Sequence, residues 1–310
     1  MKALVGYTGF VGGNLARNGK FDKLYNSKNI EEAFGTNPDF LVYAGVTAAK
    51  FLANKFPQKD KEAILNAFEN IKKINPKKLV LISTIDVYDN PIKVTEEDEA
   101  FSSETYGANR ALLEKLVRDE YEDCTIIRLP ALFGIGIKKN FIFDYINYIP
   151  ALLNEGKFLE LSKLNNKLLR YYKKNENGFY ECKKINEREK LKLKKIFEEL
   201  KFSALNFTDS RAQYQFYNLE HLYDDIRYAV KQDIKLLNIT SEPVSAGEIY
   251  AYLESSSYSN EICDNPPCYD ERTLYYETFA GYKAKDEIGG YLYNKNEILR
   301  EIKKFIEEMK

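Results

Sequence analysis

The sequence predicts an α/β chain built on a doubly wound parallel sheet, and three observations carry that expectation. Gly6-Tyr-Thr-Gly9-Phe-Val-Gly12 follows directly on the apolar run Ala3-Leu4-Val5 and opens an apolar stretch, Phe10 to Ala16, that continues as a helix. The first 135 residues alternate short β-branched or apolar runs with helical patterns, as strands covered on both faces do. Beyond Gly136 the alternation loosens, which marks a smaller, mostly helical C-terminal region.

Strands are expected at 2–5, 23–26, 40–45, 78–84 and 124–129. Ile64, Phe68, Ile71 and Ile74 recur at helical spacing before Pro76, and Leu112, Leu113, Leu116 and Val117 continue a helix that Tyr106 opens. Asn186 and Glu189 suit the N-terminus of a charge-rich helix striped by Leu193, Ile196, Phe197 and Leu200. The sheet resumes near Lys235-Leu-Leu-Asn-Ile-Thr240, so a strand and helix near 205–240 rejoin the first domain, 1–135. Ser245-Ala-Gly-Glu248 is a capping box for a helix starting at Ile249, and Glu297 to Met309 carries Ile298, Leu299, Ile302, Phe305 and Ile306 on one face. The second region is therefore expected over 136–204 and 241–310.

At 310 residues the chain buries a large core, and 46 basic against 47 acidic residues give no electrostatic case for nucleic acid or a membrane surface. No apolar run approaches the roughly 20 residues that span a bilayer, and nothing resembles a cleavable secretory signal, so a cytoplasmic protein is expected. Cys124, Cys182, Cys263 and Cys268 read as reduced thiols. Cys263 and Cys268 flank Asp-Asn-Pro-Pro, but with His221 the only histidine no metal site is expected.

The chemistry is concentrated in three places. The glycine turn, Gly6, Thr8, Gly9, Phe10, Val11 and Gly12, suits a cofactor pyrophosphate, because close approach to the backbone needs glycine and the helix N-terminus attracts an anion. Tyr106 and Arg110 lie one helical turn apart and face inward, where a buried guanidinium needs partners. A cofactor ribose, the nicotinamide or a substrate hydroxyl are the partners expected. Thr84, at the carboxyl end of the fourth strand, is placed to hydrogen-bond the same substrate oxygen as Tyr106. Tyrosine, with an unperturbed pKa of about 10, acts as a base at neutral pH only if a nearby cation favours the phenolate.

Together these segments resemble the extended short-chain dehydrogenase/reductases, specifically the NAD-dependent epimerase/dehydratase family acting on nucleotide sugars. Besides the glycine signature, Leu41-Val-Tyr-Ala44-Gly45 is similar to that family's third strand, and Ser83-Thr84-Ile-Asp-Val-Tyr88 to its serine/threonine strand. Tyr106-Gly-Ala-Asn-Arg110-x-x-x-Glu114 resembles the tyrosine helix, and Arg128-Leu129-Pro-Ala-Leu-Phe-Gly134 the strand and loop beneath the nicotinamide. Lys139-Asn140-Phe141 resembles the segment that meets the substrate diphosphate. The resemblance implies a Rossmann-type fold, NAD or NADP as cofactor, a nucleotide-sugar substrate bound by the second region, and a homodimer. It makes Tyr106 the general acid/base and Thr84 its partner, with Ala44, Gly45 and Leu129 along the cofactor and Asn140 on the substrate.

Three departures qualify the resemblance. Arg110 stands where the family has lysine against the ribose, which puts turnover in question and keeps open a non-catalytic dinucleotide-binding sensor or scaffold. Ile85 stands where dehydratases tend to have an acid, and Asp86, taken as a substrate contact, points to the opposite face if the strand persists. After the second strand no acid is available for an adenosine ribose, and Lys28 either meets a 2′-phosphate or is a solvated loop lysine. The connection to the third strand is short, as in NADPH-dependent keto-sugar reductases. Arg211 and Arg272 are further candidates for a diphosphate, through paired hydrogen bonds.

Overall fold

The computed structural model describes residues 1–283 and 289–309. The chain divides into two compact units, one of Met1–Ile137, Gln213–Val244 and Pro267–Ile302, the other of Lys138–Ala212, Ser245–Pro266 and Lys303–Lys310. The stretch 241–310, expected to lie wholly in the second region, is thus shared, with 241–244 and 267–302 joining the sheet's unit.

In the first unit a single six-stranded sheet runs in the order Leu236–Asn238, β5 (Cys124–Leu129), β4 (Leu79–Thr84), β3 (Phe40–Tyr43), β1 (Lys2–Val5), β2 (Lys23–Tyr25). Every neighbouring pair is parallel. Strand alternation accounts for the layers. Ala3, Val5, Leu41, Tyr43, Leu79, Leu81, Cys124 and Ile126 share one buried cluster with Ile64, Ala67, Ile71 and Ile74 of α3 (Pro57–Ile74) and Leu113 and Val117 of α4 (Thr105–Glu120). The alternate residues Leu4, Val42, Val80 and Ile127 are buried as well, so both faces are covered. Truncating one of these side chains, Ile71→Ala for instance, costs about 2–5 kcal/mol. α3 starts with Pro57 at its first turn and stops at Asn75, which takes a left-handed φ of 52°.

The sheet is Rossmann-like. With β2 on one side of β1 and β3 on the other, the winding reverses at β1, and the crevice outside the carboxyl ends of β1 and β3 is where such sheets hold ligands.

The second unit has its own core, in which Phe158, Leu161, Leu193 and Phe197 pack against a three-stranded antiparallel ribbon of Leu152–Leu153, Tyr180–Cys182 and Tyr172–Lys174. Asn186 caps the helix Glu187–Glu199 by accepting from Glu189 N at 3.0 Å. Ser245 and Glu248 form the capping box, and that helix begins at Ala246 rather than Ile249. All four cysteines are free. Among the described residues no group of histidine, cysteine, aspartate and glutamate could hold a metal, and no helix is long and apolar enough to cross a membrane.

Candidate functional site

The glycine turn sits at the carboxyl end of β1 and feeds α1 (Phe10–Asn18). Gly6 has φ +93°, and a Cβ there would lie 2.3 Å from the Ala44 carbonyl oxygen, while one on Gly12 would lie 2.1 Å from that of Gly6. Side chains at either position would push apart β1, the end of β3 and α1. The turn is tied down by Gly6 N to Tyr25 O at 2.7 Å, Gly9 N to Gly6 O at 2.9 Å and Ala44 N to Val5 O at 2.9 Å. Gly13 N donates to Gly9 O at 2.8 Å, so the Phe10, Val11 and Gly12 amides precede the first bond of the helix. Gly9 offers no side-chain cap and the first turn holds no acid, which leaves that end fit for an anion. Thr8 is exposed in the turn, Gly45 follows Ala44, and Lys28 is exposed in the loop after β2, its amide on Asn26 Oδ1 at 2.8 Å.

Thr84 ends β4, opposite Leu129 of β5. The chain then turns into a short 3₁₀ segment, Ile85–Val87, so the strand does not persist past Thr84 and the alternation that would turn Asp86 away does not apply. Asp86 N instead donates to Thr84 Oγ1 at 3.2 Å, and the Asp86 carboxylate pairs at 2.7 Å with Nζ of Lys50, the first residue of α2 (Lys50–Lys55). α4 comes close to this segment because residue 107 is glycine, where a Cβ would sit 1.9 Å from the Asp86 carbonyl oxygen. Tyr106 is thereby brought to Thr84, and its amide donates to Asn54 Oδ1 at 2.9 Å.

Burial pushes the Tyr106 phenol above its ordinary value; the Arg110 charge pulls it down, Asp86 pushes it up, and Lys50 and a hydrogen bond with Thr84 pull it down again. Lys50 is itself partly desolvated, but the hydrogen bond and charge of Asp86 outweigh that and hold its ammonium above the usual range. Arg110 is buried and finds its partners within the protein. Its NH1 meets Asp60 at 2.7 Å, NH2 donates to the Thr47 carbonyl at 2.6 Å, and the guanidinium lies 4.3 Å from the Tyr106 ring centroid. The partners that a buried Arg110 needs are thus present within the protein, in Asp60 and Thr47.

Behind the site, Ser83 faces the other way and donates to Glu114 Oε1 at 2.5 Å. Glu114 also holds Arg128 through Nε at 3.0 Å and NH2 at 2.6 Å, and Arg128 NH1 reaches the Tyr88 hydroxyl. This buried network clamps α4 to β4 and β5.

The remaining predicted residues are not all free to bind. Arg211 grips Asp209 with Nε at 3.0 Å and NH2 at 2.9 Å, its NH1 pairs with Glu261 at 3.0 Å, and NH2 donates to Cys263 O at 2.6 Å. The diphosphate expected on Arg211 thus meets a fork already filled. Asn140, at φ +90°, caps the helix Phe141–Asn147 by accepting from Ile142 N at 3.0 Å and Phe143 N at 3.3 Å. Arg272 lies over the Tyr291 ring at 5.1 Å, with NH2 3.5 Å from Asp270. Sequence reasoning missed Lys50, Asn54, Asp60 and Gly107; of these only Gly107, next to Tyr106, carried a local signal. A cavity of about 350 Å³ lined by Lys2, Asn18, Lys20, Tyr223, Asp224 and Arg227 opens at the amino end of β1, the wrong end of the sheet for a ligand crevice.

Residues 18–167 match the model of the NAD dependent epimerase/dehydratase family. That stretch is similar to the family's domain. Thr84, Tyr106 and Arg110 fall inside the matched residues of this domain, whereas the glycine turn precedes them. No curated protein matches the sequence. Solved structures that the chain resembles over nearly its whole length include dTDP-4-dehydrorhamnose reductase from Yersinia enterocolitica, at 12% identity and TM-score 0.62, with 99% of this chain and 98% of that one covered. RMD from Pseudomonas aeruginosa complexed with NADPH is 14% identical at TM-score 0.61, with 100% and 99% covered. UDP-N-acetylglucosamine 4-epimerase from Methanobrevibacter ruminantium M1, in complex with UDP-N-acetylmuramic acid, is 13% identical at TM-score 0.60, with 99% and 97% covered. At these identities the likeness is one of fold.

Proposed function

We propose that this chain is an NAD(P)-dependent oxidoreductase or epimerase acting on a nucleotide-activated sugar, with Tyr106 as acid/base and Thr84 as its partner. The observation that carries the reading is the Thr84–Tyr106 contact at the carboxyl end of the sheet, in the same unit as a glycine turn whose helix amides suit a pyrophosphate. The phosphates would lie against the Phe10, Val11 and Gly12 amides, and the nucleoside arms along Ala44, Gly45 and Leu129. The bound nicotinamide supplies hydride transfer at a sugar carbon.

The protein's own part is proton handling. Tyr106 Oη takes the proton of the sugar hydroxyl in oxidation and returns it in reduction, Thr84 Oγ1 holds the same oxygen, and the cations of Arg110 and Lys50 favour the phenolate. The resting pair of Lys50 with Asp86 lies beside them as a polar contact for the sugar.

Purified protein assayed against UDP-, dTDP- and GDP-hexoses should yield either an isomerised sugar with the cofactor retained or a reduced sugar with stoichiometric NADPH consumption. Absence of both across the panel would sink the proposal. A second reading, a dinucleotide-binding sensor, draws on the Arg110–Asp60 pair, which ties up the cation one turn after Tyr106. It predicts NAD(P) binding that is indifferent to Tyr106→Phe and no turnover; activity lost in that variant excludes it.

A further inference from the structure

Glu271 is fully buried, and neither of its carboxyl oxygens has a hydrogen-bond partner. Its backbone, in contrast, is pinned on both sides by one side chain, since Gln215 Oε1 accepts from Glu271 N at 2.8 Å and Gln215 Nε2 donates to Glu271 O at 2.8 Å. Gln215 is itself held by Ser241 O at 2.7 Å. The flanking residues are fixed too: Asp270 N donates to Pro91 O at 2.8 Å, Lys93 N to Asp270 O at 2.6 Å, and Arg272 N to Val94 O at 2.8 Å. These contacts hold the segment beside the loop that leaves the Thr84–Asp86 turn. An acid oxygen buried without a donor is destabilising, so a platform this rigid for one is a feature to be explained.

The surroundings say where the platform is. Asp86 is close enough to Glu271 to act on its charge, and Tyr269 interacts electrostatically with Asp86, Lys50 and Glu271 alike. Glu271 therefore stands on the side of the site formed by the Lys50–Asp86 pair, and its own charge is disfavoured by burial. Three side-chain torsions let the carboxyl swing while the backbone stays fixed.

Resting on the function proposed above, we infer that Glu271 is a substrate-binding residue whose carboxyl takes a hydrogen-bond donor of the sugar, a ring hydroxyl or an amino group. The protein donor nearest these oxygens is the amide of Glu271 itself, which is given to Gln215 Oε1, so a ligand supplies the rest. A neutral carboxyl both donates and accepts, which matches a hydroxyl; an ammonium would instead require the carboxylate.

The test is calorimetry on NADPH-saturated protein titrated with UDP-glucose, dTDP-glucose and UDP-glucosamine, comparing wild type, Glu271→Leu and Glu271→Gln. Glu271→Leu keeps the apolar surroundings filled and is expected to bind the preferred sugar nucleotide about 10-fold more weakly, with NADPH affinity unchanged. Glu271→Gln should stay within about 3-fold of wild type if the donor is a hydroxyl, and should fall with the leucine variant if it is an ammonium. Sugar-nucleotide binding equal in wild type and Glu271→Leu overturns the inference and leaves the parent reading standing. Wild-type protein that binds NADPH but none of the three sugars overturns both.

Discussion

Two polar clusters flank the end of β4, one residue apart in sequence and opposite in character. Ser83 points to the sealed side, where Arg128 and Glu114 are 1% and 0% exposed and every arm of the pair is engaged. Thr84 stands on the other side, where Lys50 is 42% and Asp86 23% exposed. A sealed ion pair is tolerable only when all its hydrogen bonds are made, so it fixes geometry and cannot exchange partners. The exposed pair sacrifices little when a ligand displaces one member. On the proposed function, the sealed cluster holds Tyr106 in position and the open one meets the substrate.

Variants should separate the two roles. On the open side, Tyr106→Phe is expected to lower kcat about 10²–10⁴-fold while the dissociation constant for NADPH stays put, as steady-state kinetics with fluorescence titration will show. On the sealed side, Glu114→Ala leaves Arg128 buried without its carboxylate and should cost about 3–5 kcal/mol of stability, read by denaturant unfolding. If Glu114→Ala instead spared stability and abolished activity alone, the division between clusters would be wrong. Lys50→Met removes one of the cations that lower the Tyr106 phenol, so the oxidative pH–rate profile should move to higher pH with only a modest loss of stability. An unmoved profile would leave that task to Arg110.

The smallest effect concerns pH and Glu271. Burial, with added repulsion from Asp86 and Asp270, lifts its carboxyl to about 8. Between the ordinary carboxylate range and that value the unfolded chain has released the proton and the folded one has kept it, so stability falls as pH rises through this window. Glu271→Gln should flatten that slope in thermal melts recorded from pH 5 to about 8.

Much of this was legible in the sequence where local pattern decides. The first five strands stand within a few residues of their expected places because parallel strands are continuous apolar runs, and Asn186 and Ser245 cap their helices by hydrogen bonds that span three residues. Thr84 and Tyr106 were visible as residue types in order. What escaped depends on contacts far apart in the chain: Asp60 with Arg110 across 50 residues, Lys50 with Asp86 across 36, Gln215 with Glu271 across 56. The side on which Asp86 falls turned on whether β4 persists past Thr84, and a 3₁₀ turn ends the strand there. Arg211 was legible in retrospect, since Asp209 two residues earlier is the carboxylate that fills its fork.

The most direct measurement is cofactor and product analysis of wild type and Tyr106→Phe, side by side, with UDP-, dTDP- and GDP-hexoses. The account predicts an isomerised or reduced sugar from the wild type and near-complete loss in the variant, with NAD(P) bound equally by both. Equal turnover by the two proteins would contradict it, because the proton would then be moving through some other group.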